Sequence, residues 1–345
     1  MNDSEANIRK LLVSNNLRQV SFEFVQGDFA WSGSNPNGNE LDRRAIRPPS
    51  MLGQSLALDG ASGSGTFGGF VELKLPGETG YTTMALTCFH SINPSENGVD
   101  STLLGAIRSW RQEGIKPGDS LRTKLQIQQP SSTAVKEKIK SLKDEIRTIE
   151  ENQQYIDFRE VGKLKDFLQE IYAFQAENRG SFGHVYAGSG FRVTGKPSSN
   201  LDWALIEIPD HRVGENITPN GHHLKSSPIP DDLDELPLFI HGQRSGYCKG
   251  IKNPLECATL THEIEDGKLI SRTTYEHTIL PQRGSHFSEA GDSGSLVFTE
   301  FHVVVGMLFA GGRSHRISFF TPIETILEDI KNITKATDVR LKMKR

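Results

Sequence analysis

Glu289-Ala290-Gly291-Asp292-Ser293-Gly294-Ser295, running straight into the apolar stretch Leu296-Val297-Phe298, is the segment on which the reading of the fold turns. A serine bracketed by glycines, led by an aspartate and set at the start of a buried strand, has what an exposed nucleophile requires. Gly291 and Gly294 permit a tight turn that aims backbone N–H groups at a developing oxyanion, where larger side chains would obstruct. Turns of small residues are also common without any chemistry. A base and an orienting acid elsewhere in the chain would separate the two readings.

A candidate base stands at His90. Gly65–Leu75 alternates like a strand, Pro76-Gly77-Glu78-Thr79-Gly80 supplies a hairpin turn, and Tyr81–Cys88 returns as a second strand. His90 follows directly in Leu86-Thr87-Cys88-Phe89-His90. A histidine just past a buried strand is held by the sheet yet reaches the surface, which suits a general base titrating near working pH. Alone, it is more often a histidine that caps a carbonyl. The candidate acid is Asp202, in Leu201-Asp202-Trp203-Ala204-Leu205-Ile206. A carboxylate at the head of so apolar a strand is costly unless paired or hydrogen-bonded. It can fix a histidine tautomer, or simply bond nearby backbone N–H groups.

The totals exclude several classes. The 345 residues carry 43 acidic and 39 basic side chains, a formal net charge of −4, so nothing steers the chain toward nucleic acid or an anionic membrane. No apolar run approaches a membrane span, and the first residues lack the apolar core of a secretion signal. The cysteines, Cys88, Cys248 and Cys257, are odd in number and sparse, which reads as reduced chemistry in a cytoplasmic, non-secreted protein. No set of His and Cys has ligand spacing, so neither a metal nor a cofactor is expected. The 33 glycines and 16 prolines favour many short strands over a helical bundle.

Residues 133–178 interrupt that texture. Val135, Ile139, Leu142, Ile146 and Ile149 step at helical spacing, and Val161, Leu164, Leu168 and Ile171 share a face of a second helix, with a turn around 150–154. This is an antiparallel helical hairpin, read as an inserted arm and a candidate surface for a protein partner; the bland alternative packs both helices on the main body. Upstream, Phe22, Phe24 and Val25 suggest one short strand and Ser32–Asn39 a loop. Downstream, strands are expected at 236–242, 257–264, 269–275, 301–309 and 317–320, then a helix with Ile323, Ile326, Leu327 and Ile330 on its apolar face and a basic, frayed tail from Lys331.

The order His90, Asp202, Ser293 is that of chymotrypsin-type enzymes. The boxes around the three residues also resemble that family of trypsin- and chymotrypsin-like serine proteases, over roughly residues 56–325. More narrowly, Gly65-Thr66-Phe67-Gly68-Gly69 and Leu201–Leu205 look like the disulfide-free domains of intracellular fungal proteins. The resemblance implies an all-β fold, a chymotrypsin-like double antiparallel β-barrel of six strands each, with an inserted α-helical hairpin. It divides the chain into a polar extension (1–55), the N-terminal part of the first barrel (56–130), the hairpin (131–180), the rest of that barrel (181–225), the second barrel (226–325) and a C-terminal helix with basic tail (326–345). The interval from His90 to Asp202 is too long for the family, and the hairpin accounts for the excess, since loop closure grows only slowly more costly with length.

By the same resemblance His90, Asp202 and Ser293 are a catalytic triad acting on a protein or peptide substrate, and the N–H groups of Gly291 and Ser293 form the oxyanion hole. Phe287 falls at the base of the specificity pocket, with Phe309, Ala310 and Gly311 along its wall, an uncharged lining that disfavours Arg or Lys. Two departures stand out. Cys88 has no upstream partner for the family's histidine-loop disulfide. Arg43-Arg44-Ala45-Ile46 is a poor match to a zymogen cleavage site, so Asp292 must find a partner other than a new N-terminus. The alternative function is a latent or inactive protease-like module that binds or signals through the helical hairpin.

Overall fold

The strands that flank His90 and Asp202 are adjacent in space, and the first sheet grows outward from them. A computed structural model of the protein describes residues 2–17, 29–30, 41–151, 158–226, 229–230, 233, 236–265, 268–282, 286–312 and 317–344. The strand expected at Phe22, Phe24 and Val25, the loop at 32–39 and the hairpin turn at 152–154 lie outside the described residues.

After α1 (Asn2–Ser14) and the short β1 (Phe29–Ala30) come β2 (Ser55–Leu58), β3 (Gly65–Thr66), β4 (Gly69–Lys74) and β5 (Thr82–Thr87). Next are α2 (Ser101–Glu113), β6 (Gln126–Gln128), the hairpin helices α3 (Ser132–Glu151) and α4 (Phe158–Ala176), and β7 (Ser181–Gly188). The small ribbon of β8 (Val193–Thr194) and β9 (Ser199–Asn200) leads to β10 (Ala204–Glu207). The second half holds β11 (Pro237–Gly242), β12 (Gly246–Lys252), β13 (Cys257–Glu265), β14 (Lys268–Pro281), β15 (Leu296–Thr299), β16 (Val304–Gly312) and β17 (Ser318–Pro322), then α5 (Ile323–Thr334) and β18 (Asp338–Leu341). Two eight-stranded antiparallel sheets result. The first runs β18-β4-β5-β10-β7-β6-β2-β3; the second runs β1-β16-β15-β11-β12-β14-β13, with β17 bonded to both β14 and β16. The two β-rich halves of a chymotrypsin-like fold are present, each built among the described residues on an eight-stranded sheet where six strands were expected.

Each half has its own reason to close. Phe67, Phe70, Phe89, Phe182 and Trp203 are fully buried in the larger core, each worth about 2–3 kcal/mol of apolar burial. Leu238, Ile240, Ile279, Phe287, Val297, Leu308 and Phe320 fill the second half. The hairpin has a separate core, in which Val135, Leu142, Phe167, Ile171 and Phe174 close over Ile46 of the N-terminal extension. The two helices share that core with each other and with the extension, and Arg43 and Arg47 add ion pairs to Glu170 on α4.

Three features depart from expectation. The basic tail does not fray: β18 pairs with β4, and Arg340 lies opposite Glu72, whose buried carboxylate accepts its guanidinium at 2.8 Å. A carboxylate in the middle of a buried strand requires a cation, and the tail brings one. Helix α2 is a second surprise; Asp100 caps it by accepting from Leu103 N–H at 2.9 Å, and Gly114 (φ 84°) ends it. Third, the strand expected from Phe301 begins only at Val304, because Phe301 and His302 form the turn that precedes it, His302 with φ 61°. Among the described residues no helix is long and apolar enough to cross a membrane.

Candidate active site

Register alone brings two of the three candidates together. Ala204 of β10 pairs with Thr87 of β5 in antiparallel fashion. Asp202, two residues before one strand, and His90, three residues after the other, must then share one end of the sheet. They meet in a double contact. Asp202 Oδ2 lies 2.5 Å from His90 Nδ1, and Asp202 Oδ1 accepts the His90 backbone N–H at 2.9 Å. Both side chains are buried, at 4% and 1% exposure, so the pair is screened little by water. The carboxylate thus fixes the ring orientation and assigns the proton to Nδ1.

The loop bearing Asp202 is braced from three sides. Trp203 N–H donates to Ser189 Oγ (2.8 Å), and Trp203 Nε1 donates to Asp329 of α5 (2.9 Å). Arg192 donates to the same Asp329 carboxylate. From the second sheet, Glu276 Oε1 accepts both the backbone N–H (3.1 Å) and the side-chain amide (2.7 Å) of Asn200. Neither Asp329 nor Glu276 had any signature in the sequence, because each acts on a segment more than seventy positions away.

Ser293 comes from the second sheet, at the head of β15. Asp292 N–H donates to Glu289 C=O (3.0 Å) and Ser295 N–H to Asp292 C=O (3.0 Å), which makes two consecutive turns. Each carries glycine third, Gly291 at φ 107° and Gly294 at φ 99°, the positive φ that a type II turn demands there. Gly294 has a second constraint, since a Cβ on it would stand 2.3 Å from Thr66 C=O and 2.7 Å from Thr87 Oγ1. The serine turn is therefore pressed against the end of β5, from which the chain runs on to His90. Across that junction Thr66 N–H donates to Ser293 C=O (2.8 Å), and Thr66 Oγ donates to Gly291 C=O (2.9 Å). The Ser293 hydroxyl donates to Phe309 C=O at 3.0 Å. Among the described residues the N–H groups of Gly291 and Ser293 make no hydrogen bond within the protein.

Asp292, fully buried, holds the turn from behind. It accepts from Arg244 N–H (2.8 Å), Ser245 N–H (3.2 Å) and Glu289 N–H (2.8 Å). The partner that a new N-terminus would supply elsewhere is here the backbone of the β11–β12 turn. Burial pushes the Asp292 carboxyl above the ordinary carboxylate range, while these donors pull it back.

Cys88 packs beside the pair, with Sγ, a His90 ring nitrogen and an Asp202 oxygen all within 4.8 Å of one another. Burial and the neighbouring Asp202 charge push its thiol well above the usual range, and it donates to Leu308 C=O at 3.3 Å.

Residues 118–339, well over half of the chain, match the model of peptidase family S64. The chain belongs to that family. It is a serine peptidase of chymotrypsin-like fold, and a protein or peptide is its substrate. No curated protein matches the chain. Among solved structures it is similar to Thermobifida fusca protease A (12% identity, TM-score 0.40), covering 85% of this chain and 98% of that one. It is likewise similar to a glutamic acid-specific serine protease (12%, 0.41, covering 85% and 100%) and to a Nocardiopsis protease (11%, 0.39, covering 85% and 98%).

The positions assigned to the specificity pocket are scattered in role. Phe287 is fully buried among second-half core residues; its ring is near enough to Gly250 to meet a Cβ there at 2.7 Å. Phe309 and Ala310 are buried in β16 beside the serine, and Gly311 faces Ser288.

The peptidase should show a pH signature from Glu276. Its buried carboxyl is raised above the ordinary value of 4.5, burial being the largest cause. The folded state then keeps this proton to higher pH than the unfolded chain does. That contribution to stability is complete below the unfolded pKa and is lost as pH rises through the folded one. Thermal denaturation across about pH 4 to 7 should show the slope in the wild type, and Glu276→Gln should flatten it. An unchanged slope would remove Glu276 as its source.

Proposed function

We propose that the peptidase is an endopeptidase working through an acyl-enzyme, with Ser293 as nucleophile, His90 as general base and Asp202 as the acid that orients it. The observation that carries this reading is the double grip of Asp202 on His90, placed beside a serine turn with two unspent N–H groups. For attack, the Ser293 hydroxyl, which donates to Phe309 C=O in this structure, has to turn toward His90 Nε2. His90 takes the proton as Oγ bonds to the peptide carbonyl carbon. The displaced charge settles on the carbonyl oxygen, held by the N–H groups of Gly291 and Ser293, each such donor worth about 3 kcal/mol. His90 then passes its proton to the leaving amine, and water reverses the sequence to free the acid product.

With Phe287 part of the core, the uncharged Phe309, Ala310 and Gly311 beside the serine are what favours an apolar or small residue before the scissile bond. Three free cysteines, one of them buried, suit a reducing compartment and an intracellular site of action.

Fluorophosphonate labelling followed by peptide mapping tests the assignment. Modification confined to Ser293 is the expected outcome. Labelling on a different serine overturns it, and absence of labelling in folded protein returns the chain to a latent module.

A further inference from the structure

The two halves of the fold divide the site between them, with His90 and Asp202 on the first and Ser293 on the second. Their junction decides whether the three side chains can act together. On the serine side the halves are joined through Thr66, Gly291 and Ser293. A second junction lies on the aspartate side, two residues ahead of Asp202, and Asn200 is its centre. The Asn200 backbone N–H and side-chain amide both donate to Glu276 Oε1, at 3.1 and 2.7 Å. The same amide donates to Thr274 Oγ at 3.0 Å, and Asn200 C=O accepts from Thr321 Oγ at 3.2 Å. Two positions earlier, Ser198 C=O accepts from Tyr275 N–H at 2.7 Å.

These partners belong to β14 and β17, and the ladder from them to the serine is unbroken. His277 of β14 pairs with Phe320 of β17, and Phe320 with Leu308 of β16. Met307 of β16 then pairs with Leu296, the first residue of β15 and three positions after Ser293. Glu276 is 1% exposed and Thr274 3%, so water has little access to take the place of either. Through one oxygen Glu276 holds both the main chain and the side chain of Asn200, fixing its orientation as well as its place. Two residues span at most about 7 Å, so Asn200 cannot shift far without drawing Asp202 along. Asp202 carries His90 with it through their double contact.

We infer that Glu276 is a positioning residue for the peptidase reaction: by clasping Asn200 it sets the Asp202–His90 pair in register with Ser293 across the two halves. The inference rests on the reading of His90, Asp202 and Ser293 as the triad given above. The clasp makes none of the contacts between Asp202 and His90. It therefore governs where the pair stands against the serine, and leaves unchanged how firmly Asp202 holds the ring.

Steady-state hydrolysis of fluorescent casein by the full chain provides the test, with kcat expressed per active site counted by fluorophosphonate titration. Glu276→Ala takes the acceptor from both Asn200 groups. A misplacement of about 1 Å costs about a hundredfold, so a loosened pair should lower kcat per site about tenfold. KM should stay within about twofold, and the acid limb of the kcat/KM profile, which reports the base of the free enzyme, should not move. Glu276→Gln, whose Oε1 still accepts from both groups, should recover most of the loss. Asn200→Ala should lower kcat as well, and combining it with Glu276→Ala should add nothing, as for two residues acting as a unit. Thr273→Ala, exposed on the same strand, should match the wild type. Wild-type kcat per site in Glu276→Ala overturns the inference, even with a lowered melting temperature, because the clasp then serves stability alone. So do a Glu276→Gln variant as slow as Glu276→Ala, additive losses in the double variant, or a shifted acid limb. If Ser293→Ala still hydrolyses casein, the reading of the site itself fails; if Ser293→Ala is dead and Glu276→Ala turns over like the wild type, only this inference does.

Discussion

Ser293→Ala is expected to abolish hydrolysis of casein and labelling by a fluorophosphonate while leaving the fold intact. The two parts of that expectation come from different contacts. The hydroxyl makes one hydrogen bond, to Phe309 C=O at 3.0 Å, and its removal should cost about 1 kcal/mol of stability. The turn does not rely on it. Ser293 C=O still accepts from Thr66, Asp292 still gathers three backbone N–H groups, and both glycines keep their φ. Removing the nucleophile of such a triad costs about a millionfold in kcat, as much as removing all three members, because the remaining two have nothing to activate. A circular dichroism melt close to the wild type with no detectable turnover is therefore the anticipated pair of results. Turnover surviving at more than about a thousandth of the wild-type rate would show that another group attacks, and would end the assignment of Ser293.

How much of this was legible in the sequence follows from the range over which each contact acts. Ser293, His90 and Asp202 could be picked out because each sits at the end of a strand with a strong local pattern. The hairpin was legible because Val135, Ile139 and Leu142, and Leu164, Leu168 and Ile171, repeat at helical spacing; Val135, Leu142 and Ile171 lie in its core, while Phe167 and Phe174, which that reading did not include, complete it. What escaped was set by distant partners. Asp338–Leu341 looks like a polar tail until Glu72, buried on β4, demands a cation and Arg340 meets it in register. Helix α2 has little to announce it: its sequence, Ser-Thr-Leu-Leu-Gly-Ala-Ile-Arg-Ser-Trp-Arg-Gln-Glu, carries a glycine in the middle and buries only Ile107 and Trp110. The need for a partner to Asp292 was visible, whereas its identity was not. Backbone N–H groups of Arg244 and Ser245 carry no side-chain signal, so any residue at those positions would have read the same.

These long-range contacts share one purpose in the fold. The serine turn is held by Thr66 and Gln243 at Gly291 C=O and by Arg244 and Ser245 at Asp292. The aspartate loop is held by Ser189, Asp329 and Glu276. Most of these are buried polar groups, expensive unless fully bonded, and they are bonded to segments that carry the site. A turn gripped by groups already in place needs no newly created N-terminus to order it, which fits the poor match of Arg43–Ile46 to a cleavage site.

The same logic makes Asp202→Asn the second large loss, and it dictates how the variant fails. An asparagine fits the space of the aspartate, with one oxygen and one NH₂ group to distribute. The His90 backbone N–H, 2.9 Å from Oδ1, can only donate, so the asparagine must turn its oxygen there. Its NH₂ group then faces His90 Nδ1, which becomes an acceptor, and the ring proton moves to Nε2. An Nε2 that already carries a proton cannot take one from Ser293. The expected result is a fall in kcat of about 10⁴-fold at neutral pH, with the fold and the substrate affinity nearly kept. Fluorophosphonate labelling should slow by a similar factor, since it too begins with proton transfer from the serine. Activity should partly return at high pH, where hydroxide supplies the base that the histidine no longer provides. A loss of less than about tenfold would mean that the His90 ring is oriented by something other than Asp202. A collapse of the fold would mean that the buried carboxylate serves stability before chemistry, and the unfolding curve separates the two.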